Sequence, residues 1–397
     1  MTGHRVPGRH LHGRPGCASN GGVVVKLRVL DAARLLVCLG CLVAMAGIAS
    51  DTAAASLAPQ LHVSGNRLVN ADGGQVVLHG ADRSGTEYEC VQGNGIFDGP
   101  HNQGSITAMQ KWGINAVRVP LNEACWNGQT YVKAAYRGAR YRNAIKAYVN
   151  LLNANGMVVI LDLHWSDGAY TGPSSGCSSA EAVCQKPMPD SAESIRFWSS
   201  VAATFAGNDA VIFDLFNEPY PEASLASETA AWKCWLHGGP ACSPGISYPV
   251  AGMQTLVNAV RTAGANNVIM AGGLAWSNDL TEWLKYKPVD PDHNLVASWH
   301  SYNFNACDTK ACWSSQISPV IAKVPVIAGE IGEDDCADDY IDPLMGYLDS
   351  KSTGYLAWAW NTAGCGSGPS LITNYYSGHP TAFGAGYRSH LLSLAGS

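Results

Sequence analysis

The sequence predicts an α/β fold, a (β/α)8 TIM barrel, from three observations. Eight near-continuous apolar runs recur between residues 76 and 361, as parallel strands covered on both faces require. The segments between them carry helical spacing, so strands and helices alternate. No Gly-rich phosphate turn follows the first run, which argues for a closed barrel over an open nucleotide-binding sheet.

Taken in chain order, the first feature is not part of the barrel. Residues 26–34 (KLRVLDAAR) are basic and precede the apolar run 35–49 (LLVCLGCLVAMAGIA) and the small-residue stretch TAAASLA. That is the layout of a secretory signal, and the run is short of the roughly 20 residues a bilayer span needs. Residues 1–55 are therefore expected to be an upstream extension and signal peptide, and 56–397 the barrel domain. The mature protein is expected to be secreted, off the membrane and monomeric. Residues 61–69 (LHVSGNRLV) suggest a short N-terminal β-hairpin that plugs the barrel floor.

The eight runs are 76–84, 115–121, 157–165, 211–219, 267–273, 295–303, 325–332 and 355–361. Between them, 141–156 places Ile145, Tyr148, Val149 and Leu152 on one face and stops at Gly156, a fitting C-terminal cap. The segment 191–207 opens on Ser191, expected as its N-cap. The segment 248–264 again ends on glycine.

In such a barrel, chemistry belongs at the C-terminal ends of the strands. Polar residues collect there. Arg118 and Asn122 close strand two; Asp162, His164 and Trp165 close strand three; Asn217 and Glu218 close strand four. His300 and Tyr302 close strand six, Glu330 strand seven, and Trp358 and Trp360 strand eight. Each alone has a structural explanation; six strands ending this way do not. Glycoside hydrolysis needs one acid to protonate the leaving oxygen and another as nucleophile or base. Glu218 and Glu330, on strands four and seven, would meet across the barrel mouth. Glu218 is read as acid/base, Glu330 as nucleophile, and Asn217 as the partner of a sugar 2-hydroxyl.

Arg118, His164, Asn217–Glu218–Pro219, His300, Tyr302, Glu330 and Trp360, in this order and on these strands, resemble the active-site set of glycoside hydrolase family 5, the cellulase family. The resemblance spans about residues 76–361. It implies a retaining double displacement through a covalent glycosyl-enzyme, with Arg118, His164, Asn217, His300 and Tyr302 in support. It also implies a sugar-platform tryptophan, Trp360 being favoured over Trp358.

Sugars stack their C–H faces on aromatic rings, so Trp126, Trp165 and Trp276 are further platform candidates, and Glu87 could hold a distal hydroxyl. The insertion 220–247 could close one end of the cleft and favour exo action. The substrate expected is a carbohydrate, an endo-cleaved β-1,4-glucan first. An exo-acting β-glucosidase or β-1,3-glucanase, a β-mannanase, and a catalytically silent glycan-binding barrel are the alternatives. No cofactor or metal is expected: the mature region has no Cys-x-x-Cys pair with His partners, and 333–339 (EDDCADD) lacks calcium-loop spacing. Charged residues are only 14% of the chain and the net charge is −6, which argues against a nucleic-acid binder. Of 13 cysteines, three (Cys17, Cys38, Cys41) fall in the leader, and the even remainder suits an oxidising compartment. Proximity suggests Cys177–Cys184, Cys234–Cys242 and Cys307–Cys312, with Cys90–Cys125 and Cys336–Cys365 as one pairing of the rest. All would brace loops on the catalytic face.

Overall fold

The computed structural model describes residues 57–366 and 368–394. The expected leader and its three cysteines lie outside them. The hairpin forms as β1 (Leu61–Ser64) and β2 (Arg67–Asn70), paired antiparallel. Eight parallel strands follow: β3 (His79–Asp82), β4 (Ala116–Asn122), β5 (Val158–Trp165), β6 (Val211–Asp214), β7 (Ile269–Gly272), β8 (Leu295–Tyr302), β9 (Val326–Gly332) and β10 (Gly354–Ala357). They close in sequence order, β10 pairing with β3 through Tyr355 and His79.

Two apolar layers explain the closure. Inside, Ala116, Val158, Ile160, Ile212, Met270, Val296, Ile327 and Leu356 fill the lower barrel, and Leu61 and Leu68 of the hairpin join them from below. The hairpin is therefore a floor plug. Outside, the alternate residues of each strand meet the helices. Helix Ala139–Ala154 buries Tyr141, Ile145, Tyr148, Val149 and Leu152 at the spacing of one face. It ends at Asn155, and Gly156 follows in the left-handed region at φ 81°.

Helix Ser194–Phe205 starts later than Ser191. Asp190, not Ser191, serves the free amides there: its Oδ1 accepts from Ala192 N at 2.9 Å and Glu193 N at 2.8 Å. A carboxylate one residue upstream reaches these donors with the full charge that a hydroxyl lacks.

All five expected disulfides form, and each lies beyond the C-terminal end of a strand. Among the described residues no helix is long and apolar enough to cross a membrane.

Candidate active site

The site is built around Arg118, which points from β4 into the barrel above the apolar layer and is fully buried. Its Nη1 donates to Glu330 Oε1 at 2.7 Å and Asp82 Oδ1 at 3.1 Å. Its Nε donates to Asp214 Oδ2 at 3.1 Å, and Nη2 reaches Asn217 Oδ1 at 2.9 Å and Asp162 Oδ2 at 3.2 Å. One cation thus faces four carboxylates in a dry interior. Burial raises Asp82 well above the usual carboxylate range, and Asp162 and Asp214 to about 7, against the opposing pull of Arg118. Burial disfavours the Arg118 charge too, but the surrounding acids outweigh it and hold the guanidinium charged.

Glu330 is aimed by a bulge. Strands β8 and β9 run in register to Trp299–Ala328, then His300 pairs with Glu330, so Gly329 is the extra residue. The bulge resets the alternation and turns Glu330 inward. Glycine is required at the bulge because a Cβ there would meet Ser298 Oγ at 2.9 Å and His300 Nε2 at 3.1 Å. Tyr302 Oη donates to Glu330 Oε2 at 2.5 Å, so both Glu330 oxygens act as acceptors.

Glu218 lies beyond the paired part of β6, on an extension held by Leu215 N to Met270 O and Asn217 N to Leu163 O, both 3.0 Å. His300 Nδ1 sits 3.0 Å from Glu218 Oε1, and Gln185 Nε2 donates to Oε2 at 2.9 Å. Burial raises the Glu218 carboxyl, and the Gln185 hydrogen bond partly offsets this. Burial also lowers His300 to about 3 and His164 to about 4, so both rings are neutral at physiological pH. Oxygens of Glu218 and Glu330 come within 4.8 Å of each other. The same geometry brings His300 into that radius, and Glu333, Asp335 and Asp339 form a second such acidic group in the loop after β9.

A cleft of about 600 Å³ opens over the pair. His164, Asn217, Tyr302 and Trp276 line it, as the sequence reading expected. Trp358, not Trp360, is the tryptophan of β10 that faces it, stacked on His164 at 5.3 Å and 16°. Trp360 is fully buried, edge-on to Trp112 at 4.9 Å, and cannot meet a sugar. Trp126 is also fully buried, with Nε1 donating to Ser200 Oγ at 3.0 Å. Glu87 points back into its own turn, accepting from Gly85 N at 2.7 Å, and is 2% exposed. Trp165 is half-buried against the core, tilted on Tyr88 at 6.4 Å.

Sequence reasoning missed Gln185 and Phe304, both in the cleft wall. Phe304 follows strand β8 and is aromatic, which was signal enough. Gln185 carries no signal except its place one residue after Cys184. It also missed Asp82 and Asp214, although each is a carboxylate inside an apolar run.

The Cellulase (glycosyl hydrolase family 5) family model matches residues 70–364. The chain belongs to glycosyl hydrolase family 5. It is therefore a glycoside hydrolase acting on O-glycosyl bonds, and its substrate is a carbohydrate. A mannan endo-1,4-beta-mannosidase of Streptomyces lividans is 26% identical over 83% of this chain and 73% of its own length. Endoglucanase A of Butyrivibrio fibrisolvens is 24% identical over 61% of this chain and 45% of its own. Among solved family 5 folds, a beta-glucanase from Saccharophagus degradans superposes with a TM-score of 0.63 at 18% identity, covering 86% of this chain and 95% of that one. A mannanase catalytic domain from Streptomyces sp. SirexAA-E gives 0.57 at 22% identity, covering 85% and 91%.

Proposed function

We propose that the protein is a secreted, retaining, endo-acting hydrolase of a neutral β-1,4-linked hexose polymer, with mannan as its preferred backbone. The carrying observation is the Glu218–Glu330 pair. Their oxygens lie within 4.8 Å, which suits the roughly 5–5.5 Å carboxyl separation of retaining enzymes and not the wider gap that admits a water.

The roles follow from what each acid touches. Glu330 accepts hydrogen bonds at both oxygens from Arg118 and Tyr302 and has no partner to donate to. It is placed to attack the anomeric carbon, forming a glycosyl ester as the C–O bond to the leaving group breaks. Glu218, raised by burial, carries the proton that the departing oxygen takes up. As a carboxylate it then removes a proton from the water that hydrolyses the ester. Asn217 commits its carbonyl to Arg118, leaving its amide N–H groups for the sugar 2-hydroxyl. Trp358, backed by His164, is the platform for the sugar being cleaved.

Mannan is placed first because two relatives covering 83% and 75% of the chain both carry the name mannan endo-1,4-beta-mannosidase. β-1,4-Glucan is the second reading, favoured by the fold match to the beta-glucanase. The disulfides favour secretion. The test is anomer-resolved NMR on mannan and β-1,4-glucan oligosaccharides, with Glu330→Ala as control. A β-anomer appearing first, and loss of turnover in the variant, are expected. An α-anomer first, or undiminished turnover without Glu330, refutes the assignment; faster cleavage of glucan reverses the substrate order.

A further inference from the structure

Two cavities share a wall. The catalytic cleft and a second concavity of about 330 Å³ are both lined by Ala275, Asn278 and Ala306. The second falls within the roughly 300–1,000 Å³ of ligand pockets. Its outer walls are Glu228, Asp279, Thr281 and Gln316, polar groups with no part in the bond-breaking steps. We propose that this concavity is a distal aglycone subsite, which holds hexose units of a long neutral β-glycan beyond the point of cleavage. The proposal rests on the reading of Glu218 as the acid.

The direction of the chain supplies the argument. The leaving sugar lies on the acid's side of the scissile bond. The turn Leu274–Asp279 leans directly on the acid's own segment: Trp276 N donates to Pro219 O at 3.0 Å and Ser277 Oγ to Asn217 O at 2.9 Å. Ala275, Trp276 and Ser277 all hold left-handed φ values of 51°, 57° and 62°. Trp276 is stacked on Tyr220 at 4.9 Å and 12°, which fixes its ring at the cleft edge. A glycan leaving Glu218 along this wall passes Trp276 and Phe304. Phe304 is 61% exposed and backed face-to-face by Tyr302 at 5.1 Å. Two residues further lies Ala306, on the divide between the cavities.

The divide is rigid and the far side is suited to hydroxyls. Asn278 Nδ2 donates to His300 O at 2.8 Å and its Oδ1 accepts from Cys307 N at 2.9 Å, while Cys307–Cys312 closes the adjoining loop. Beyond it, Thr281 Oγ1 donates to Asp279 Oδ1 at 2.6 Å and Glu228 Oε1 at 3.2 Å, which orients both carboxylates. Carboxylates accept from sugar hydroxyls and repel uronates, so the ligand class is a neutral glycan. Glu228 belongs to the insertion 220–247, which here borders an open extension of the cleft.

The experiment is kcat/KM for mannohexaose and mannotriose, and for cellohexaose and cellotriose, in the parent and the Glu228→Ala/Thr281→Ala double variant. Both side chains are exposed, so the melting temperature serves as a folding control. The hexaose-to-triose ratio is expected to fall about tenfold, from roughly two- to tenfold per lost hydrogen bond. The triose rate should hold, and cleavage of the hexaose, mapped with ¹⁸O, should move toward the reducing end. An unchanged ratio and cleavage position overturn the subsite alone. A loss on triose equal to that on hexaose overturns it as well, since the residues then act on the site as a whole. A parent that cleaves no oligosaccharide overturns the reading of the acid pair and the subsite with it.

Discussion

Gln185 offers the sharpest perturbation of the acid. Its amide donates to both Glu218 O at 3.1 Å and Glu218 Oε2 at 2.9 Å. A donor favours the ionised carboxylate, so this contact lowers the Glu218 pKa against burial, which raises it. Gln185→Leu removes the donor and keeps much of the volume. A hydrogen bond to a charged group contributes about 1.5–3 kcal/mol, and one pKa unit corresponds to about 1.4 kcal/mol. The Glu218 side chain keeps 15% exposure, so water recovers part of the loss, and the net rise is about one unit. The sign then decides the profile. The enzyme needs Glu218 protonated, and the alkaline limb of kcat/KM marks loss of that proton. That limb should move about one unit to higher pH, while the maximal rate falls because Oε2 is no longer fixed. The assay is kcat/KM against pH on an oligosaccharide, parent and variant side by side. A limb that stays in place while the rate falls would make Gln185 a packing residue only. A limb that moves down would refute the assignment of Glu218 as acid.

Two further outcomes separate residues that the sequence made look alike. Trp358→Ala should cut kcat/KM by about tenfold with little change in melting, as loss of an exposed stacking face predicts. Trp360→Ala should cost about 3–5 kcal/mol of stability, read by denaturant midpoint, because it opens a cavity against Trp112. Exchange of these two phenotypes refutes the placement. Glu87 is raised by burial to about 8, above the roughly 4.3 of an unfolded chain. Between those values the folded state binds more protons, so stability should fall as pH rises from about 4.5 through 8. Glu87→Gln cannot lose a proton and should flatten the decline between pH 5 and pH 9; an equal decline in both proteins contradicts a buried, protonated Glu87.

The barrel was legible because each strand is an apolar run and each helix keeps one apolar face. Glu218, Glu330 and Arg118 were legible because charge at the end of an apolar run is costly unless used. What failed was depth. Trp358 and Trp360 share a parity, and a regular strand would put both on one face. Strand β10 ends at Ala357, so the parity rule stops applying one residue before it is needed. Trp126 and Glu87 follow strand ends as a platform would, yet each turns inward, and spacing along the chain does not encode that turn. Gln185 reaches Glu218 only through the loop closed by Cys177–Cys184, a long-range placement that local pattern cannot supply.

The acids beneath Arg118 show what register adds to pattern. Asp82 pairs across the sheet with Arg118, and Asp162 with Asp214, so aligning the runs would have put all four groups at one level. Three buried carboxylates under one cation look like a fault in a core, since burial penalises each of them. Their effect is geometric. They occupy the guanidinium donors that face away from substrate, so that Arg118 has no alternative rotamer of comparable energy. The Nη1 that remains directed at Glu330 Oε1 is then fixed before substrate arrives, and no reorganisation is needed as charge leaves Glu330. The unfavourable burial of Asp82, Asp162 and Asp214 is thus the structural counterpart of a nucleophile held in one orientation.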